Sequence, residues 1–188
     1  MTDHFQFKFY ENFIPLVEDN SNAVPILMSD DKSYLSNYLS QVELKFALSV
    51  GYFSSKVHSV IIPDNSGNIK IILIKPSGKK RFLTGNRIAD LPPGKYYIKN
   101  DLSDDFAFEV ILGFCLSSYV FNRFKKHKEN FDVYLCIPGN VNEKKIKAFV
   151  EAEFFVRDLV NTPASHLGPD NFENAIKLFA LEKGTSFK

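Results

Sequence analysis

Tryptophan is absent from the chain, and only two cysteines occur, Cys115 and Cys136. Two thiols set in apolar runs exclude a disulfide framework and predict buried free thiols of a reducing compartment. A surplus of charge is also missing. The 23 basic and 22 acidic residues leave a net +1 at neutral pH, which gives no general pull toward nucleic acid or anionic lipid. No run reaches the roughly eighteen apolar residues that a membrane span needs. The best candidate, around Phe106 to Phe121, is broken by Glu109, Ser117 and Ser118. The start, Met1-Thr2-Asp3-His4-Phe5, has no basic residue ahead of an apolar stretch, so no secretory signal is expected. Neither GxGxxG nor GxxxxGK[ST] occurs, so a glycine-rich phosphate cradle is not expected. These absences predict a cytoplasmic protein without a membrane partner.

What is present suits an ordinary folded chain. Its 188 residues are 45% hydrophobic and 24% charged, which is globular composition. A chain of this length buries roughly 70% of its unfolded surface and needs no disulfide or metal to fold. Nineteen Phe and eight Tyr predict a core dominated by aromatic packing.

Local patterns predict strands interleaved with helices. Val24-Pro25-Ile26-Leu27-Met28 reads as a buried strand, and Asp30 or Asp31 caps a helix to about Val50. The β-branched runs 57–62 and 69–74 flank a turn rich in Asp, Asn and Gly, which predicts a hairpin. Thr84 is expected to cap a short helix that Pro92-Pro93-Gly94 stops. Residues 95–98 and 131–137 read as strands. A helix is expected from Asp104 to about Lys126, apolar nearly all round and so buried on more than one side. Further helices are expected from Glu143 to Asn161 and from Asp170 to Lys183, closed by Gly184. Alternation of this kind predicts an α/β fold of three layers, a mixed β-sheet flanked by helices.

Apolar residues of the 143–161 helix cover roughly 260° of its wheel, whereas a helix on one domain needs a stripe of only about 100°. The excess predicts contact with two bodies. The expected division is an N-terminal extension over 1–23, an α/β domain over 24–141, and a linker helix with the start of a truncated domain over 142–188.

Three segments carry a family resemblance. Val156-Arg157-Asp158-Leu159-Val160-Asn161-Thr162-Pro163, followed by Gly168-Pro169, resembles the segment leading into the catalytic half of the cytosol (leucyl) aminopeptidases, which are two-metal peptidases. Residues 113–121, Gly-Phe-Cys-Leu-Ser-Ser-Tyr-Val-Phe, resemble a helix pattern just upstream in that family, and Leu91-Pro92-Pro93-Gly94-Lys95-Tyr96 is similar to one of its strand starts. The resemblance holds from about Leu91 to Gly184. It implies an N-terminal domain with a macro-domain-like sheet, and a C-terminal domain holding two divalent metals, Zn or Mn. It also implies removal of N-terminal residues from peptides and a homo-hexameric assembly. The family's metal-binding segments do not occur in this sequence, so no catalytic or metal-ligating residue is assigned and no cofactor is expected within the chain. The expected partner is a C-terminal catalytic domain beyond Lys188.

The segment leading out of the long helix reads as an interdomain turn. Pro163 pushes Thr162 out of the helical region, Asn161 is expected to fold its amide onto nearby backbone, and Gly168-Pro169 starts a new helix. The five residues Asn161, Thr162, Pro163, Gly168 and Pro169 are assigned structural roles there. The histidines, His4, His58, His127 and His166, show no metal-ligand spacing. Ser165-His166 is read as mere adjacency and not as a hydrogen-bonded pair. The basic cluster Arg123, Lys125, Lys126, His127 and Lys128 is read as a solvated helix end, so nucleic acid is not the expected partner. The competing reading is a freestanding α/β module that binds nucleic acid or a nucleotide and has no peptidase activity.

Overall fold

The computed structural model describes residues 14–78, 80–121, 123–124 and 131–187. Strands β1 (Leu16–Val17), β2 (Val24–Met28), β3 (Ser59–Pro63), β4 (Ile69–Ile74), β5 (Gly94–Ile98) and β6 (Val133–Cys136) form one sheet in the order β1-β6-β5-β2-β4-β3. All neighbours are parallel except β3, which pairs antiparallel with β4. The sheet is therefore mixed. The hairpin between β3 and β4 forms as its sequence suggests. Asp64 Oδ1 accepts from the backbone N–H groups of Ser66 (2.7 Å) and Asn68 (2.9 Å), and Gly67 supplies the positive φ of 85° that closes the turn.

Side chains that alternate along the central strands divide the core into two layers. Ile26, Met28, Ile72 and Ile74 face one side and Leu27, Ile71 and Leu73 the other. On the first side lie α3 (Leu83–Ala89), α4 (Asp104–Ser117) and α5 (Glu143–Asn161); on the second lie α1 (Lys32–Leu35) and α2 (Gln41–Ser49). The result is helix, sheet and helix. Every residue from Val110 to Cys115 is buried, because α4 is the central helix of its layer, with α3 and α5 on either side.

Several boundaries differ from the local reading. The helix expected from Asp30 or Asp31 to Val50 is two. Asp31 caps α1, and Ser40 then opens α2 through a capping box with Glu43, the Ser40 N–H donating to Glu43 Oε2 at 2.7 Å. That reciprocal pair satisfies two otherwise orphaned donors and so favours a new start over continuation. Thr84 does not cap α3. The cap position is Phe82, with a left-handed φ of 65°, while the Thr84 hydroxyl is buried against Ser77 Oγ at 2.6 Å. Helix α4 stops at Ser117 and not near Lys126. Ser117 Oγ donates to the Gly113 carbonyl, Ser118 Oγ to that of Cys115, and Arg157 Nη1 to that of Leu116. Side chains thus reach two of the last-turn carbonyls, those of Cys115 and Leu116. The residues Lys125, Lys126, His127 and Lys128 lie outside those described, as does His4.

Candidate functional site

The site that the sequence singles out is the passage from α5 to α6 (Pro169–Glu182). Asn142 caps α5 by accepting from the Lys145 N–H at 3.0 Å, and Ile146, Val150 and Phe154 on one face meet the sheet layer. At the other end Thr162 is extended, and both its N–H (3.0 Å) and its hydroxyl (2.6 Å) donate to the Asp158 carbonyl. Pro163 follows, and its own carbonyl accepts from the N–H groups of His166 and Leu167. Gly168 then stands as the extended cap of α6, with Pro169 at the first helical position, where a missing N–H leaves no bond unmade.

The turn is tied to distant residues. Asn161 does not fold onto nearby backbone; its Nδ2 donates to Tyr119 Oη at 3.1 Å, across 42 positions of sequence. Tyr119 Oη in turn donates to Asp158 Oδ1 at 2.8 Å. Asp158 is 4% exposed. Burial pushes its carboxyl above the usual range, opposed by the Tyr119 hydrogen bond and the Arg123 charge. The Arg157 guanidinium lies over the Tyr119 ring, 5.4 Å from its centre, and donates to the Leu116 carbonyl at 3.0 Å. Sequence reasoning did not find Tyr119 or Asp158. The only local signal was an acid three residues from an apolar-faced helix end, which is ordinary surface pattern.

The raised carboxyl has a consequence for stability. The folded protein takes up a proton at Asp158 at higher pH than the unfolded chain does. The resulting stabilisation is therefore complete below the unfolded pKa and is lost as pH rises through the folded one. Asp158→Asn has no such proton to lose. Wild type should thus gain in Tm relative to Asp158→Asn as pH falls from neutral into the carboxylate range. Thermal melts of both proteins across that range check the sign.

Other candidates are placed as follows. Ser165 Oγ and His166 Nδ1 do make a hydrogen bond, at 3.0 Å, contrary to the reading of simple adjacency. The turn brings the two side chains together, and the His166 ring packs on Phe124 at 4.8 Å. The pair lies at the surface. Cys115 and Cys136 are free and buried, the Cys115 thiol pushed up to about 12 by burial. Among the described residues no three His, Cys, Asp or Glu side chains converge into a metal site, and no helix is long and apolar enough to cross a membrane.

The carboxyl ends of β2 and β5 are the point where the chain leaves to opposite faces of the sheet, the usual ligand crevice of an open α/β fold. Asn100 fills it here. Its Oδ1 accepts from the Met28 N–H at 2.8 Å and its Nδ2 donates to the Met28 carbonyl at 3.2 Å, extending the ladder past the last strand pair. Next to it an open cleft of about 510 Å³ runs between residues 98–102 and 138–140. Asn140 Nδ2 bridges its walls, donating to the Leu102 carbonyl and to Asp104 Oδ1.

One side of the passage is left apolar and uncovered. Helix α6 stacks Phe179 on Phe155 of α5, with centres 4.3 Å apart, and Lys183 pairs with Glu151 at 2.8 Å. Beyond these contacts Val156 and Val160 of α5, and Phe172, Leu178 and Leu181 of α6, face water, Val160 being 78% exposed and Leu181 77%. The wide apolar arc of α5 is therefore divided three ways: the sheet layer, α6, and solvent.

Solved structures share this arrangement. The cytosol aminopeptidase of Coxiella burnetii superposes with a TM-score of 0.76 at 25% identity, over 89% of this chain and 37% of that one. A leucine aminopeptidase of tomato gives 0.61 at 15% identity, over 97% and 45%. The bottromycin maturation enzyme BotP gives 0.58 at 19% identity, over 86% and 38%, and was also solved with Mn. The chain thus spans less than half the length of each of these proteins. No curated protein matches the sequence. Residues 24–138 match the family described as M17 aminopeptidase, N-terminal domain. That match covers more than half of the chain and the whole sheet from β2 to β6, so the protein belongs to the M17 aminopeptidase family and carries its N-terminal domain.

Proposed function

We propose that this chain is the non-catalytic part of a longer metal-dependent aminopeptidase that removes N-terminal residues from peptides in the cytoplasm. The family match over 24–138 carries this reading. The uncovered apolar faces of α5 and α6 support it, because an exposed patch of this kind marks a surface that another body occupies. In this reading α5 is the linker, Asn161, Thr162, Pro163, Gly168 and Pro169 form the interdomain turn, and the catalytic domain sits against Val156, Val160, Leu178 and Leu181. The α/β domain would flank the entrance to the active site, limit substrate size and help assembly into a hexamer. A two-metal peptidase needs several carboxylates and a lysine gathered on two ions, Mn or Zn. The described residues offer no such cluster, so the ligands are assigned to the catalytic domain and no step of the reaction is placed in this chain.

The protein isolated from its natural source should have a mass well above the 21.5 kDa of these 188 residues. It should release N-terminal Leu from a short peptide when supplied with Mn²⁺ or Zn²⁺ and lose that activity to a chelator. A native mass near 21.5 kDa would sink the reading, and so would a longer protein without metal-dependent release.

A further inference from the structure

Buried polar side chains are few in this protein. The described ones are Lys75, Thr84, Asn100, Ser118, Asp158 and Thr162. Half of these lie together where α4 and α5 end. A buried polar group is costly unless it is partnered, so three in one place, all hydrogen-bonded, mark a junction specified by geometry and not by apolar area alone.

The partners show what is specified. Asp158 is one turn before the end of α5, and its carbonyl holds the N–H and hydroxyl of Thr162. Its carboxylate accepts from Tyr119, which also accepts from Asn161. Tyr119, in the loop after α4, is also held by two other residues of α5. Its ring lies 5.1 Å from that of Phe154 and beneath the Arg157 guanidinium. A second, separate contact joins the same two segments, the Phe124 ring against His166. The loop after α4 therefore grips both the last turn of α5 and the turn that follows it. Helix α6 is also tied to the body by the Phe155–Phe179 stack, the Lys183–Glu151 pair and buried Ala175.

We propose that half-buried Tyr119 and buried Asp158 are a positioning pair that fixes the direction in which the chain leaves α5, and thereby holds α6 against the domain. The turn is then a rigid elbow and not a free hinge. The proposal concerns this chain alone and stands whether or not the peptidase reading does.

Hydrogen exchange of backbone amides tests it. Tyr119→Phe keeps the ring and its packing but removes the hydroxyl, leaving the Asp158 carboxylate and the Asn161 amide without that partner. Exchange in α6 should accelerate by about tenfold or more, while amides of β2, β4 and β5 keep their wild-type rates. Asp158→Asn keeps an acceptor for the Tyr119 hydroxyl, so its α6 amides should stay within about threefold of wild type. Equal acceleration of α6 and the sheet in Tyr119→Phe would reduce the pair to ordinary core support and overturn the proposal. Unchanged α6 rates in that variant, or α6 amides already unprotected in wild type, would overturn it as well. Acceleration in Asp158→Asn matching that of Tyr119→Phe would assign the effect to charge, again against the proposal.

Discussion

Gly113→Ala should lower the stability of the protein by about 3 kcal/mol, although alanine is the better helix former by about 1 kcal/mol. The reason is the crossing of α3 and α4. A Cβ on Gly113 would lie 2.3 Å from the Phe82 carbonyl oxygen and 2.8 Å from its Cα, and a Cβ on Gly85 would lie 2.0 Å from the Val110 carbonyl oxygen. All of these are backbone atoms, so no side chain can turn aside, and the helices must separate. Phe82 holds a left-handed φ of 65° at this contact, a conformation uncommon for a bulky residue. The absent Cβ of Gly113 is what lets that backbone approach. A loss of this size corresponds to a fall in Tm of roughly 6–12 °C for a chain of this length. Gly139→Ala is the control. Nothing lies within 4 Å of its added Cβ, and its Tm should stay within about 2 °C of wild type. Thermal or denaturant unfolding of both variants checks the contrast. Equal stability of Gly113→Ala and wild type would mean that the two helices do not cross this closely.

Phe154→Ala should be more damaging still, by about 3–5 kcal/mol, or a Tm lower by roughly 6–20 °C. Phe154 is 1% exposed, packs with Ile146 and Val150 against the sheet layer, and supports the Tyr119 ring. Removing its ring opens a cavity among side chains that cannot all close over it. Val160 lies on the same helix and is also apolar, but it is 78% exposed. Val160→Ser should therefore change Tm by less than about 2 °C in this chain. The midpoint of denaturant unfolding separates the two, provided the slope stays the same and the transitions remain two-state. In a longer protein whose catalytic domain covers Val160, the same substitution should become costly. That difference would locate the covering surface.

The interior of the fold was largely legible in local pattern. Strands β2 to β6 and helices α5 and α6 stand close to where runs of β-branched residues, turn chemistry and helical spacing put them. These signals are local, because a strand or helix is specified over five to twenty neighbours. The misjudged boundaries also have local causes. Ser40 with Glu43 was a readable capping box that an unbroken apolar spacing obscured. The end of α4 was not readable in the same way, since one of its closing donors, Arg157, lies 41 residues beyond the Leu116 carbonyl that it meets. β1 is only two residues long, too short to carry a pattern, and exists because β6 offers it an edge at Leu135 and Cys136.

The turn after α5 shows the division most clearly. Asn161-Thr162-Pro163 and Gly168-Pro169 identify a helix stop and a helix start by steric rules that act over one or two residues, and the resemblance they carry was enough to point to the family. The sequence by itself thus determined the element types, the two-sided core, the near-neutral charge and the aminopeptidase kinship. Only the tertiary structure decided the strand order, the glycine contact that brings α3 onto α4, and the hydrogen-bonded chain from Asn161 at the surface through Tyr119 to buried Asp158. Each of these joins residues far apart in sequence, and their energies come from burial and close approach, which exist only once the layers have packed.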